Sequence, residues 1–241
     1  VKLAGALEAK LAAATDGAGQ VPLHVAAAAG SEEVVLAVLR LNPSAACAAD
    51  GRGQLPIHVA ADRGQKAAVK LLLEAAPEQA TAAAADGSHP IHLASAAGHA
   101  DVVELLLDTA PKERMAADRS GMLPLLLAAL AGHAQTAHSL LQEAPEAAVV
   151  MKCIHMVAAL PEPADAAHAD VVALLLAAVP HAASWPAGGK GGRSLLHKAY
   201  PCQAWLFRLL LKAAPQAAME PADPDGSLCS TSQQPLATPV K

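Results

Sequence analysis

The chain is poor in aromatic residues, in cysteine and in long apolar runs, and each shortage closes off a class of protein. Aromatic residues make up 2% of 241, although 54% of the chain is hydrophobic. About a quarter of it is alanine. The apolar content is therefore largely methyl groups, and a core must come from close helix packing rather than from bulky side chains. Alanine is the best helix former, which points to an all-α fold. The longest apolar stretches, 122–131 and 171–179, fall well short of the roughly 20 residues that span a bilayer. No charged-then-apolar signal segment opens the chain, and position 1 is Val. The expectation is a soluble helical protein, trimmed at its start.

Cysteine and charge narrow the choice further. Cys47, Cys153, Cys202 and Cys229 stand far apart with no CxxC pair. This argues against a disulfide framework or zinc site and for a reducing compartment. The net charge of −5 does not suit a dedicated nucleic-acid binder. The charge is uneven. Residues 134–186 hold one base, Lys152, against Glu143, Glu146, Glu162, Asp165 and Asp170. Residues 187–212 then carry Lys190, Arg193, Lys198, Arg208 and Lys212 with no acid.

What the chain does have is repetition. Val21-Pro22-Leu23-His24-Val25-Ala26 aligns with Leu55-Pro56-Ile57-His58-Val59-Ala60. His89-Pro90-Ile91-His92-Leu93-Ala94 and Leu123-Pro124-Leu125-Leu126-Leu127-Ala128 continue the series, with successive prolines 34 residues apart. Glycines keep register before each Pro (Gly19, Gly53, Gly87, Gly121) and after it (Gly30, Gly64, Gly98, Gly132). A second proline closes each unit at Pro43, Pro77, Pro111 and Pro145.

Each unit reads as turn, short helix, turn, second helix, loop. Asp16, Asp50 and Asp118 open Gly-containing turns, where Asp and Gly supply turn chemistry; Ala84 breaks that column. The first Pro suits the opening turn of a helix, where its missing N–H costs nothing. The following Gly ends that helix. A second apolar face follows, as in Val102, Val103, Leu105, Leu106 and Leu107, and the closing Pro stops it. One such hairpin cannot bury its own face, so neighbours must stack into a solenoid.

These units resemble ankyrin repeats, whose signature is T-P-L-H-x-A at a period of about 33. The resemblance implies an all-α solenoid of helix–turn–helix units with protruding finger turns. It places repeats at 16–49, 50–83, 84–117 and 118–151, after a remnant of a preceding repeat at 1–15. The signature Thr is replaced by Val21, Leu55, His89 and Leu123, so its hydroxyl bonds are absent and apolar contact is expected in their place.

The register continues beyond the clean repeats. His168-Ala169-Asp170-Val171-Val172 copies His99-Ala100-Asp101-Val102-Val103, and Ile154-His155-Met156-Val157-Ala158 reads as a first helix. A degenerate repeat is expected over 152–186, with a clipped finger and an expanded turn at 160–165. A sixth spans 187–219, from Gly192-Arg193-Ser194-Leu195-Leu196-His197 to Pro215. Residues 220–241 read as a flexible tail or the start of a further repeat. Val1-Lys2-Leu3 matches Val69-Lys70-Leu71, so the chain is expected to begin inside a second helix, with another repeat or a covering partner before it.

The search for chemistry yields little. Of eleven histidines, His24, His58, His92, His155 and His197 fall in the signature column, and His99, His133 and His168 follow the Gly or its equivalent. That leaves His89, His138 and His181. No His/Asp/Glu cluster has ligand spacing and no H-E-x-x-H or Gly-x-Ser-x-Gly occurs, so neither metal, cofactor nor catalysis is expected. Gly188-Gly189-Lys190-Gly191-Gly192-Arg193-Ser194 departs from a phosphate-binding loop, with Gly after Lys190 and Ser184 at the first Gly position. It reads as an elongated, basic finger.

The only aromatic residues, Trp185, Tyr200, Trp205 and Phe207, lie beside the basic run. Binding energy concentrates in Trp, Tyr and Arg, so this region reads as a dock for an acidic or aromatic-containing segment. The other reading is packing of the last repeat, which fits Phe207 best. In the ankyrin family, partners contact finger tips and the exposed end of the first helix. Carried over, these are Arg52, Gln54, Asp62 and Arg63, then Asp86 and Ser88, then Arg119, Ser120 and Met122, with Lys190 and Arg193 in the basic region; Trp185 joins them from its place on a loop beside Pro186 rather than from the family. The first repeat offers only Gly17, Ala18, Gln20, Ala28 and Ala29.

The expected function is a non-catalytic protein-interaction scaffold. The alternatives are a structural subunit clamped within a large complex, or a regulatory segment of a larger enzyme or signalling protein. The partner is another protein; no nucleic acid, membrane span or small-molecule ligand is expected. The cytoplasm is the expected site, with an organelle such as a plastid as the other.

Overall fold

Proline and glycine punctuate the fold as their backbone preferences dictate. The computed structural model describes residues 14–142, 147–157 and 166–179. Each clean unit opens with an extended residue, Val21, Leu55, His89 or Leu123, as the residue before Pro must be. The Pro then occupies the first helical position. The resulting short helices are α1 (Pro22–Ala29), α3 (Pro56–Asp62), α5 (Pro90–Ala97) and α7 (Pro124–Leu130). Gly30 and Gly98 cap α1 and α5 in the left-handed conformation, which glycine adopts without a Cβ penalty.

The second helices are α2 (Glu32–Leu41), α4 (Lys66–Ala75), α6 (Ala100–Thr109) and α8 (Ala134–Leu141). Their apolar residues recur at helical spacing. On α6, Val102, Val103, Leu106 and Leu107 are buried, while Asp101, Glu104 and Asp108 are exposed. The closing prolines do more than stop these helices. Pro43, Pro77 and Pro111 each lead a five-residue 3₁₀ helix, at Pro43–Cys47, Pro77–Thr81 and Pro111–Met115, where a plain loop was expected. The same property explains both roles: a fixed φ and absent N–H end one helix and suit the first turn of the next.

The stack has two layers. Helices α1, α3, α5 and α7 pack in series, and so do α2, α4, α6 and α8. Buried columns repeat along the stack: Leu23, Ile57, Ile91 and Leu125 in one, Ala26, Ala60, Ala94 and Ala128 in another. Alanine columns let neighbouring helices approach closely, so a core forms without bulk.

The fifth unit departs from its expected bounds. Helix α9 (Ala147–Val157) packs on α7, and α10 (Ala166–Ala178) packs on α8. Helix α9 runs through the boundary placed between 151 and 152, and starts well before Ile154. Residues 147–151, Ala-Ala-Val-Val-Met, offer no Asp or Gly to make a finger, so the helix extends through them. Likewise α10 begins two residues before His168, whose equivalents His99 and His133 are helix caps. The remnant over 1–13, the turn at 160–165, the basic finger, all four aromatic residues, the sixth unit and the tail lie outside the described residues.

Candidate partner-binding surface

The finger turns are built by carboxylates aimed at the backbone. Asp16 Oδ1 accepts the amides of Ala18 and Gln20, Asp50 Oδ1 those of Arg52 and Gln54, and Asp118 Oδ1 those of Ser120 and Met122, all at 2.8–2.9 Å. Where Ala84 replaces the Asp, Asp86 Oδ1 takes the amide of Ser88 at 2.9 Å. Burial alone would raise the Asp50 carboxyl, but the amides of Gln54 and Arg52 outweigh it and hold the group below its usual range. The Ser88 amide does the same for Asp86.

Neighbouring fingers are tied edge to edge. Gly51 donates its amide to Ala18 O at 2.9 Å, Ala85 to Arg52 O at 3.0 Å, and Arg119 to Asp86 O at 3.4 Å. The approach is close enough that a Cβ on Gly19 would lie 2.9 Å from the Gly51 nitrogen. Lys152, on α9, donates Nζ–H to Gly121 O at 3.1 Å and so ties the fourth finger to the fifth unit.

Two histidine columns tie the units together, one behind the fingers and one at the far ends of the first helices. In the first, His24, His58 and His92 accept the amides of Val21, Leu55 and His89 at Nδ1, at 3.1–3.2 Å. Nδ1 faces a donor, so the proton sits on Nε2, which donates to Gln54 O in the next unit's finger for His24 and, for His58 and His92, to Ala82 O and Ala116 O just ahead of the next finger, at 2.9–3.1 Å. In the second, His99, His133 and His168 donate Nε2–H to Asp62 O, Ala96 O and Leu130 O of the preceding unit. The signature column is interrupted by Leu126, which is fully buried.

Among the expected contact residues, Arg52, Asp62, Arg63, Asp86, Arg119 and Ser120 are exposed, while Gln54 and Met122 are half-buried. Arg63 and Asp62 pair with each other at 3.4 Å. Ser88 is 8% exposed and presents little to a partner. Trp185, Lys190 and Arg193 lie outside the described residues. Apolar contact replaces the signature Thr at Val21, Leu55 and Leu123, which pack on the core. His89 does not follow: its Nδ1 pairs with the Oε2 of Glu113, whose residue is 8% exposed.

A further column was missed. Val25 is 59% exposed, and Val59, Leu93 and Leu127 are half-buried at the matching positions of α3, α5 and α7. The signal was an apolar residue kept every 34 positions between the His or its replacement and the Ala of each motif. Among the described residues no three His, Cys, Asp or Glu side chains gather as a metal set. No helix there is long and apolar enough to cross a membrane. Cys153 is fully buried, and burial pushes its thiol up to about 12, far from nucleophilic.

The family model for ankyrin repeats (3 copies) matches residues 6–84 and 77–152, more than half of the chain. No curated protein matches it. Ankyrin repeats are in general protein-binding modules and typically non-catalytic. The repeat register, the two helix layers and the family match agree, and the chain belongs to the ankyrin repeat family.

Proposed function

We propose that the chain is a non-catalytic scaffold that holds another protein along its finger edge and the exposed ends of its first helices. The observation that carries this reading is a division of labour within each repeat. The finger carboxylates and the histidines are spent on the frame, whereas Arg52, Asp62, Arg63 and Arg119 vary from repeat to repeat on that frame and reach solvent, as does Asp86 beyond its bond to the Ser88 amide. Variable side chains on a rigid support are what recognition uses. The residues that acid–base catalysis would favour are tied to the backbone, the finger carboxylates to amides and the two histidine columns to carbonyls.

Gln54, Ser88 and Met122 complete this surface as supports more than anchors. Trp185, Lys190 and Arg193 form a second proposed patch for an acidic or aromatic-containing segment. The exposed Cys47 thiol suits a reducing compartment, the cytoplasm first and an organelle second. The reading as a structural subunit draws on one feature, the small side chains at Ala28, Ala29, Ala96, Ala97 and Ala131, which suit a long shallow contact in an assembly.

Photo-crosslinking residues placed at Arg52, Arg63 and Arg119, with Lys70 and Glu74 on the second-helix layer as references, test the proposal in gently lysed source cells. Adducts from the first three positions and not the references support it. Adducts from the references alone overturn it. Elution only within a large stoichiometric particle favours the structural subunit.

A further inference from the structure

His24, His58 and His92 are three fully or almost fully buried imidazoles in one register, each tying the start of its own helix to the base of the next finger. In every case Nδ1 must be unprotonated, because a backbone N–H points at it. A proton arriving there from solvent would set two donors against each other, and the helix-cap bond would be lost. The ring could keep its bond to the next finger only by leaving its own helix start.

We propose that this column is an acid-sensitive fastening of the finger edge: protonation of His58 and His92 frees the fingers of the third and fourth repeats while the second-helix layer stays packed. The fourth repeat itself has Leu126 in the register, so the fastening ends there. In the second layer Leu72, Leu106 and Leu140 hold the helices together, and the rings at the helix starts, His99 and His133, bond a carbonyl through Nε2.

The charged groups around the rings set the direction. Asp50 faces His24 across the second finger. Asp86 and His89 face His58, and Asp118 and His89 face His92. The His89 ring meets His92 edge-on at 5.4 Å between centroids, and its other contact is Glu113. The carboxylates favour a charged ring, but burial outweighs them and holds His58 and His92 below the ordinary value of 6.5. The sign follows. Above pH 6.5 folded and opened states are both neutral and the fastening is at full strength. Below it the opened state takes up protons that the closed state refuses, so closure weakens with each step into acid until the lowered folded values are passed.

Amide hydrogen exchange of the full chain at pH 7.5 and 5.5, corrected for the intrinsic pH dependence of exchange, reads this directly. The amides of Leu55, Ala85, His89 and Arg119 should open about tenfold more often at pH 5.5, the ratio for one ring of ordinary value released on opening. Amides of α4 and α6 should change far less. In a His58→Leu, His92→Leu variant, which copies the natural Leu126, the selective change should vanish. A uniform loss of protection, or none, overturns the proposal. Imidazole nitrogen shifts of the unaltered chain serve if that variant does not fold: titration of His58 and His92 near 6.5 without movement of the finger amides also overturns it. Any weakening of partner binding in acid rests on the finger surface proposed above, whereas exchange does not involve the partner and so tests the fastening alone.

Discussion

The imidazole of His99 occupies the space that a side chain on Gly64 would need. A Cβ there would lie 2.5 Å from Nδ1, and Gly64 has φ of +67°. From that position His99 donates to Asp62 O at 3.1 Å, binding the end of α3 to the start of α6. Gly98 and His133 repeat the arrangement one unit on.

Two costs therefore meet in Gly64→Ala. The left-handed backbone costs a side chain about 1–2 kcal/mol. Displacing the ring forfeits a hydrogen bond worth about 1 kcal/mol. The expected loss is about 2–3 kcal/mol in urea unfolding, falling to the backbone share alone when His99 is already Ala. An equal loss in both backgrounds would show that the ring is not what keeps residue 64 bare.

His89 and Glu113 offer a second coupling. Glu113 is 8% exposed on the 3₁₀ helix Pro111–Met115, and its carboxylate pairs with His89 where the other repeats place Val or Leu. Removing the ring strands a buried acid. His89→Ala should cost about 1–3 kcal/mol, and adding Glu113→Ala should recover about 1 kcal/mol or more of it. Calorimetric melting of the four proteins in the cycle checks this; strict additivity would mean that the pair contributes nothing.

The period of 34 made the frame legible, because Pro and Gly act through the backbone and the backbone repeats. Positions whose partner lies in another repeat were harder. The histidine columns were visible as columns, but the carbonyl each one reaches, such as Gln54 O for His24, depends on stacking geometry. His89 was read as an apolar substitute because Glu113 is distant in sequence and marks no motif. Pro43, Pro77 and Pro111 were read only as stops, since termination and initiation use the same residue. Exposure of Arg52 and Arg119 followed from their place on the fingers. Burial of Ser88 did not, because it lies in the one finger where Ala84 shifts the capping carboxylate to Asp86.

Register also identifies two side chains that work against stability. Ser95 shares a column with Ala27, Ala61 and Ala129, all fully buried, and its own hydroxyl is fully buried without a hydrogen-bond partner. Thr136 is equally buried and unpartnered, in the register of Ala68 and Val102. Each hydroxyl gives up its hydration on folding and gains nothing in return, a cost of about 1–3 kcal/mol when the group is left unsatisfied. Ser95→Ala removes the hydroxyl and leaves the residue that the column otherwise uses. Thr136→Val keeps the branched shape and exchanges the hydroxyl for a methyl. Each should raise stability by about 1 kcal/mol, and the double variant reads any coupling between them, since His133 at the start of α8 bonds Ala96 O beside Ser95. Urea unfolding of the single and double variants measures this. A loss of stability in either would mean that its hydroxyl is satisfied in solution, by a water or a backbone carbonyl that the helix turns toward it.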